Sequence, residues 1–341
     1  MVNIGVIGAG RIGRLHIENL HHLPATVLRA VADINTSALK TIEQAFSPKY
    51  VTSSAEDILH DPEIDAVFIC AATSEHISLI DKAIQNKKHI FCEKPISFDI
   101  KESRRVVTSA REAGLVFQIG FNRRFDPSFQ QVRKMRVNGQ IGTPEMLQII
   151  SRDPSPPPME YVANSGGLFV DMTIHDFDMA RYIMGENIAA ISVHGGALTD
   201  KRFNDYGDID TAVISLTFES GAVGVIENSR RAVYGYDQRL ELFGSSGAAT
   251  VPNQPIHQVE WWQDDFIKSE KPVHFFLERY QTAFEREIAM FAESVQSGTP
   301  AVCTGDDGLA AQTAALAAAR AWKEKKTVYV ADVESEMIEL S

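Results

Sequence analysis

The chain has 341 residues, 44% hydrophobic and 23% charged, ordinary proportions for a globular protein too long for one typical domain. Its 33 basic and 45 acidic residues leave a net charge of -12, which disfavours nucleic acid and anionic membranes as partners, and no apolar stretch is long enough to span a bilayer. The first residues run directly into a strand, so a cytoplasmic location is expected.

Val2 to Ile7 is an apolar run with no polar face, the pattern of a parallel strand covered on both sides. It leads into Gly8-Ala9-Gly10-Arg11-Ile12-Gly13, and Leu15 to Leu20 follows with helical character. In such a turn Gly8 permits the tight bend, Gly10 lets a pyrophosphate approach the backbone, and Gly13 lets helix and strand pack closely. The N–H groups and positive dipole end of the helix then face the phosphates. A second apolar strand, Val27 to Ala32, ends in Asp33, where a carboxylate can accept hydrogen bonds from both ribose hydroxyls of an adenosine. A carboxylate there repels a 2′-phosphate, so NAD is expected rather than NADP.

The rhythm of strand and helix continues. Thr36 to Phe46 reads as a helix capped by Thr36 or Ser37, Val51 stands in a short strand, and Ser54 to Asp57 resembles a capping box. Asp65 to Ala72 is the clearest buried strand, followed by a helix from Thr73 to about Asn86 and a strand from His89 to Cys92. A helix from Asp99 to Ala113 stops at Gly114, and Leu115 to Phe121 is the last strand of the set. This succession predicts right-handed crossovers and a doubly wound parallel sheet, a dinucleotide-binding domain over 1–121. Its cofactor surface is expected to include Gly8, Gly10, Arg11, Ile12, Gly13 and Asp33, together with Ala72, Thr73, His76, Glu93 and Lys94.

From about Asn122 the pattern changes. A helix from Asp126 to Asn138 precedes a strand from Pro144 to Arg152 and a proline-rich loop to Pro158. Gly166 and Gly167 open a helix of about five turns ending at Gly185. Strand-like segments follow at Ala189 to Ala197, Asp210 to Glu219, Val223 to Arg230, Arg239 to Phe243 and His257 to Trp262. Helices are expected over Phe276 to Gln296 and Asp307 to Lys323, with a short strand at Val328 to Val330. The residues 122–341 therefore read as an α+β domain with an open, mainly antiparallel sheet, whose C-terminal helix is free to pack back on the first domain. The uncovered sheet face suits subunit association, which the sequence leaves undecided. Cys70, Cys92 and Cys303 have no metal-ligand spacing, and no metal is expected.

Two clusters offer chemistry. Glu93-Lys94-Pro95 follows the fifth strand, at the carboxyl edge where doubly wound sheets bind ligands, and the proline suits a bend with a cis Lys94–Pro95 bond. Lys94 is a donor for a substrate oxygen, with a surface lysine before a turn as the ordinary alternative. Asp171 and His175 are four apart on one helix face, with Asp178 a turn further on. An imidazole there can take a hydroxyl proton while a neighbouring carboxylate orients it. A solvated ion pair on the helix surface is the alternative.

These residues resemble the glucose–fructose oxidoreductase and inositol dehydrogenase family over nearly the whole chain. The resemblance rests on Gly8 to Gly13, Glu93-Lys94-Pro95, Gly120 to Phe125 and Gly166 to Asp176, each in the family's order. It implies catalytic roles for Lys94, Asp171 and His175, use of NAD or NADP, and frequent tetramers through the open sheet. Arg123 to Asp126, Val233 to Arg239 and Phe275 to Tyr280 are most similar to the inositol-oxidising members. That implies polyol contacts by Arg124, Asp153, Tyr234 and Tyr280 beside Lys94, Asp171 and His175, and oxidation of myo-inositol to its 2-keto inosose. A dehydrogenase for another inositol isomer or sugar, and a non-catalytic nicotinamide-nucleotide sensor, remain as alternatives.

Overall fold

Six short, mainly apolar runs become six parallel strands, the central ones covered on both sides and the edge strand 50–52 only partly buried. In the computed structural model, which describes residues 1–339, they are β1 (Val2–Ile7), β2 (Thr26–Ala32), β3 (Tyr50–Thr52), β4 (Ala66–Ile69), β5 (His89–Cys92) and β6 (Phe117–Ile119). Their order is β3-β2-β1-β4-β5-β6, so the chain reverses direction across the sheet at β1 and β4. The crossovers are α1 (Arg11–His22), α2 (Thr36–Phe46), α3 (Ala55–His60), α4 (Thr73–Gln85) and α5 (Ile100–Glu112). The expected doubly wound sheet is present. Two caps differ from expectation. Asn35, one residue earlier, caps α2 by accepting from the backbone N–H groups of Ser37 and Ala38. Ser54 makes no side-chain cap on α3; Thr52 accepts from the Ser54 N–H at 3.1 Å and pairs with Asp57 instead.

The chain forms two compact units. The first takes 1–125 together with Thr282–Ala310, and its core includes Ile4, Phe68 and Phe91 packed with Ile288, Phe291 and Ala292. The second takes Asp126–Gln281 and 311–339. Its elements begin with α6 (Pro127–Val137), β7 (Pro144–Arg152), α7 (Met159–Val162), a π-helical turn at Phe169–Thr173 and α8 (Ile174–Met184). Then come β8 (Ile188–Gly196), β9 (Thr211–Phe218), β10 (Val223–Ser229), β11 (Asp237–Gly244) and β12 (Gly247–Val251). A ribbon of β13 (Glu260–Trp262) and β14 (Ile267–Ser269) precedes the short α9 (Phe276–Arg279), and α10 spans Gln281–Ser297. The helix α11 (Gly305–Glu324), β15 (Val328–Tyr329) and α12 (Val330–Glu339) complete the chain.

The seven-stranded sheet of the second unit runs β12-β11-β7-β10-β9-β8-β15, antiparallel except for β7 beside β10. On β9, Ala212, Ile214, Leu216 and Phe218 are buried while Val213, Ser215 and Thr217 are exposed, so one face carries the helices and the other is open. The mainly antiparallel reading holds, with two corrections. His257 to Trp262 does not join this sheet; Glu260–Trp262 pairs with Ile267–Ser269 alone. The expected helix from Phe276 is interrupted at Tyr280, where the backbone leaves helical values. No helix among the described residues is long and apolar enough to cross a membrane.

One buried group gives a testable stability term. Glu287 on α10 is fully buried in the first unit, and neither carboxylate oxygen has a hydrogen-bond partner among the described residues. Burial, reinforced by the charge of Glu93, raises its pKa well above the ordinary carboxyl value. In acid the group is neutral both folded and unfolded. As pH rises past about 4.5 the unfolded chain ionises first, so folding stability falls by up to about 1.4 kcal/mol per pH unit until the folded-state value is passed. Glu287→Gln should remove that loss. Thermal melts of both proteins should coincide near pH 4 and diverge in favour of the variant toward pH 8; parallel curves would show Glu287 ionised in the folded protein.

Candidate functional site

The glycine turn at the end of β1 is shaped by close backbone approach. A side chain on Gly13 would put its Cβ 2.0 Å from the Gly8 carbonyl oxygen, and Gly8 itself has φ +98° with the backbone of Cys70 against it. Gly10 is different: a Cβ there would meet nothing within 4 Å. Its backbone faces open space at the N-terminus of α1, where no side chain caps the helix. Uncapped N–H groups beside an open approach suit a pyrophosphate. Asp33 stands just past β2, with one carboxylate oxygen accepting from Ala9 N–H at 2.6 Å and the other from Asn35 N–H at 2.7 Å. That anchoring ties the ribose-side carboxylate to the phosphate turn, so these residues fit a dinucleotide. Arg11 is exposed, Ile12 half-buried, and Ile34 beside Asp33 is 92% exposed.

Further along the carboxyl edge, the Lys94–Pro95 bond is cis and Lys94 is half-buried. Both neighbours of that turn are anchored. Glu93 Oε1 lies 2.8 Å from His16 Nε2, a fully buried imidazole surrounded edge-on by Phe68, Phe91 and Phe284. His76, 1% exposed, sets Nδ1 2.9 Å from the Pro95 carbonyl and Nε2 3.1 Å from that of Ala71. Burial lowers its pKa while those carbonyls act in the opposite direction. Ala72, exposed, caps α4 and Thr73 begins it. Arg124 is held inside the first unit, donating to the Val302 carbonyl at 3.2 Å and pairing with Asp307 at 2.9 Å.

In the second unit the expected uniform α-helix from Gly167 to Met184 is corrected. Phe169–Thr173 forms a wider π turn, and Ile174–Met184 continues as α-helix. The Thr173 hydroxyl donates within 3.3 Å of the carbonyl of Leu168, five residues back, and lies 2.6 Å from Asn228 Oδ1. Asn228 also donates to Asp176 at 2.8 Å, fixing the helix against β10. π turns of this kind recur at functional sites. Asp171 lies within this turn and His175 one turn further along the run.

Asp171 has two partners that the sequence did not disclose. Tyr161 of α7 donates its hydroxyl to Oδ1 at 2.7 Å, and Arg230 donates to Oδ2 at 3.1 Å. Arg230 is 2% exposed and directly follows β10, while Asp208 accepts from the Leu168 N–H at the start of the π turn. Burial raises the Asp208 pKa. Strand alternation permits a buried arginine at 230, but nothing in the local pattern singles out Arg230 over Arg231. The Asp153 backbone bridges Ser229 and Ala232, placing it beside the same strand end.

Tyr234 and Tyr280 occupy other surroundings. The Tyr234 hydroxyl accepts from Arg152 at 2.9 Å and donates to Asp237 at 2.5 Å. Arg152 shares strand parity with Met146 and Gln148 on the open face, so this network belongs to that face. Burial, then the bond to Asp237, raises the Tyr234 pKa. Burial alone would raise that of Asp237, but hydrogen bonds from Arg239, Tyr234 and Asn253 outweigh it and hold the carboxyl below its usual range. Tyr280 is 1% exposed, with Tyr236 edge-on and Arg279 over its ring.

A doubly wound sheet with an open glycine turn, an anchored carboxylate after β2 and an anchored lysine turn suits a dinucleotide-dependent oxidoreductase. Residues 2–121 match the GFO/IDH/MocA oxidoreductase family, NAD-binding Rossmann fold, and 129–250 match the GFO/IDH/MocA C-terminal domain. The chain belongs to this family. It is 51% identical to YrbE, an uncharacterized oxidoreductase of Bacillus subtilis, over 92% of each chain. To the myo-inositol 2-dehydrogenase of Thermotoga maritima it is 42% identical, over 97% of this chain and 99% of that one. The crystal structure of scyllo-inositol dehydrogenase from Lactobacillus casei with bound NAD(H) and scyllo-inositol matches with a TM-score of 0.90 at 29% identity, covering 97% of this chain and 99% of that one.

Cofactor choice can be tested at the end of β2. In Asp33→Ser with Ile34→Arg, a 2′-phosphate loses a repelling carboxylate and gains a cation at an exposed position. The ratio of kcat/KM for NADP over NAD should rise by at least about tenfold, the effect of about 1.4 kcal/mol. A wild-type preference for NADP at equal concentration would overturn this reading of Asp33.

Proposed function

We propose that the protein oxidises a cyclic polyol, with myo-inositol as the first candidate, to the corresponding ketone using NAD. The full-length likeness to the Thermotoga maritima myo-inositol 2-dehydrogenase carries the choice of substrate. The anchoring of Asp171 by Tyr161 and Arg230 supports the choice of chemistry. Bound NAD supplies the hydride acceptor at its nicotinamide ring. Lys94 Nζ donates to the substrate oxygen that becomes the ketone, lowering the alcohol's pKa. A ring nitrogen of His175 accepts the hydroxyl proton as hydride leaves carbon, and Asp171 stabilises the imidazolium so formed. Arg124, Asp153, Tyr234 and Tyr280 contribute to polyol recognition. The enzyme works in the cytoplasm as a homotetramer assembled through the open sheet, whose apolar face is then removed from water.

Lys94→Ala should retain NAD binding and lose about two to four orders of magnitude in turnover, the scale of a positioned acid–base or electrostatic group. Normal turnover in that variant would return Lys94 to the role of a surface lysine.

The pH dependence separates the roles of the pair. Protonated His175 cannot accept a proton, so polyol oxidation should decline toward low pH and ketone reduction should prefer it. His175→Ala should lose most activity and flatten the acidic limb, while Asp171→Asn should move that limb to lower pH by removing the charge that favours imidazolium. Steady-state profiles with myo-inositol and NAD test this. An active His175→Ala enzyme with the wild-type limb would exclude histidine as the base, and a panel of inositol isomers and sugars would correct the substrate independently of the mechanism.

A further inference from the structure

Asp208 is a buried carboxylate of the second unit that takes no part in the proposed reaction. It lies between the short helical turn Lys201–Tyr206 and β9, and is 8% exposed. One oxygen accepts from the Leu168 N–H at 2.9 Å, at the entrance to the π turn that carries Asp171. The other oxygen has no hydrogen-bond partner among the described residues. The fit is close: a Cβ on Gly167, where φ is +81°, would come 2.9 Å from Asp208 Oδ1.

Arg230 closes the other side. Its Nη1 donates to Asp171 at 3.1 Å, while Nε and Nη2, both buried, meet no acceptor among the described residues. Phe203 lies under the guanidinium, with Cζ 6.0 Å from the ring centroid, and its carbonyl accepts the Asp208 N–H. The Arg230 N–H in turn donates to the Asp210 carbonyl, two residues beyond Asp208. A buried cation thus stands between two carboxylates, bonded to Asp171 and acting on Asp208 through space. Burial raises the Asp208 pKa and the charge of Asp171 pushes the same way, against the backbone N–H groups and Arg230. Tyr161 donates to Asp171 from α7. Other charges nearby are engaged elsewhere: Asp210 accepts from the Leu198, Thr199 and Asp200 N–H groups, Asp176 from Asn228, and Arg231 donates to the Thr199 carbonyl.

We propose that Asp208 is a positioning residue for the Asp171–His175 pair, competing with Asp171 for the charge of Arg230. The inference rests on the reading of His175 as the base and adds the residue that tunes it. With Asp208 ionised, one guanidinium is shared between two carboxylates, so Asp171 keeps more negative charge for the imidazolium. With Asp208 neutral, Arg230 is left to Asp171 alone and the imidazolium loses support. Without Arg230, Asp208 takes up a proton, because two buried like charges do not both persist. The bond to the Leu168 N–H adds a geometric route, since it holds the start of the turn that carries Asp171.

The test follows the imidazole NMR signal of His175 in the full-length protein, assigned by its loss in His175→Ala. Asp208→Asn keeps an acceptor for Leu168 and removes the charge, so the His175 pKa should fall by roughly 0.5–1 pH unit. Asp208→Ser, of different shape, should give the same shift. In an Arg230→Met background Asp208 is already neutral, and adding Asp208→Asn should shift nothing further. The acidic limb of polyol oxidation should move with the NMR values. An unmoved titration in Asp208→Asn, or an equal shift in the Arg230→Met background, would overturn the assignment. Failure of both charge-removing variants to fold would make Asp208 a structural prop and overturn it as well. A shifted titration beside an unmoved kinetic limb would support the coupling and remove His175 as the base, so the two readings fail separately.

Discussion

A carboxylate largely removed from water needs donors from the protein, and Asp171 receives them from two directions. Arg230 reaches it from the end of β10 and Tyr161 from α7, while Asp171 itself belongs to a turn on neither element. Arg230 is almost wholly removed from water, so losing the Asp171 carboxylate would weaken the compensation of a buried charge. The arrangement holds only while α8, β10 and the Met159–Val162 helix keep their places. Asn228 provides much of that constraint by joining Thr173, Asp176 and the Ser151 carbonyl.

The first unit solves a parallel problem with different means. A lysine side chain is a long four-carbon stem, so fixing the backbone that carries Lys94 narrows where its ammonium can reach. His16 on α1 grips Glu93, and His76 on α4 grips the Pro95 carbonyl, one on each side of the lysine. His16 is itself held by the edges of three phenylalanine rings. The helix that begins at the phosphate turn therefore also steadies the lysine turn. The glycine turn and the lysine turn share one support.

The doubly wound sheet was legible because its signals are local. Apolar runs, glycines at fixed offsets and a carboxylate after the second strand each follow from backbone geometry within a few residues. The catalytic candidates were legible as residue types at a spacing, and Asp171 and His175 are the two partly exposed positions in a run otherwise buried from Leu168 to Ala180. The displaced α2 cap at Asn35 shows where local reading loses resolution, since several polar residues in a row can each accept the same N–H groups.

By itself the sequence determined the fold class and the glycine turn, and it offered Asp33, Lys94, Asp171 and His175 as candidates. Tertiary structure decided what holds them: Arg230 with Asp171, His16 with Glu93, Arg124 with Asp307, and Tyr234 within the Arg152–Asp237 network. It also decided that His257 to Trp262 leaves the main sheet for a ribbon of its own. Strand propensity is a property of a segment, whereas pairing depends on which edge is free when the chain arrives. Ion pairs between residues tens of positions apart leave no periodicity in sequence, because their partners are chosen by packing rather than by spacing.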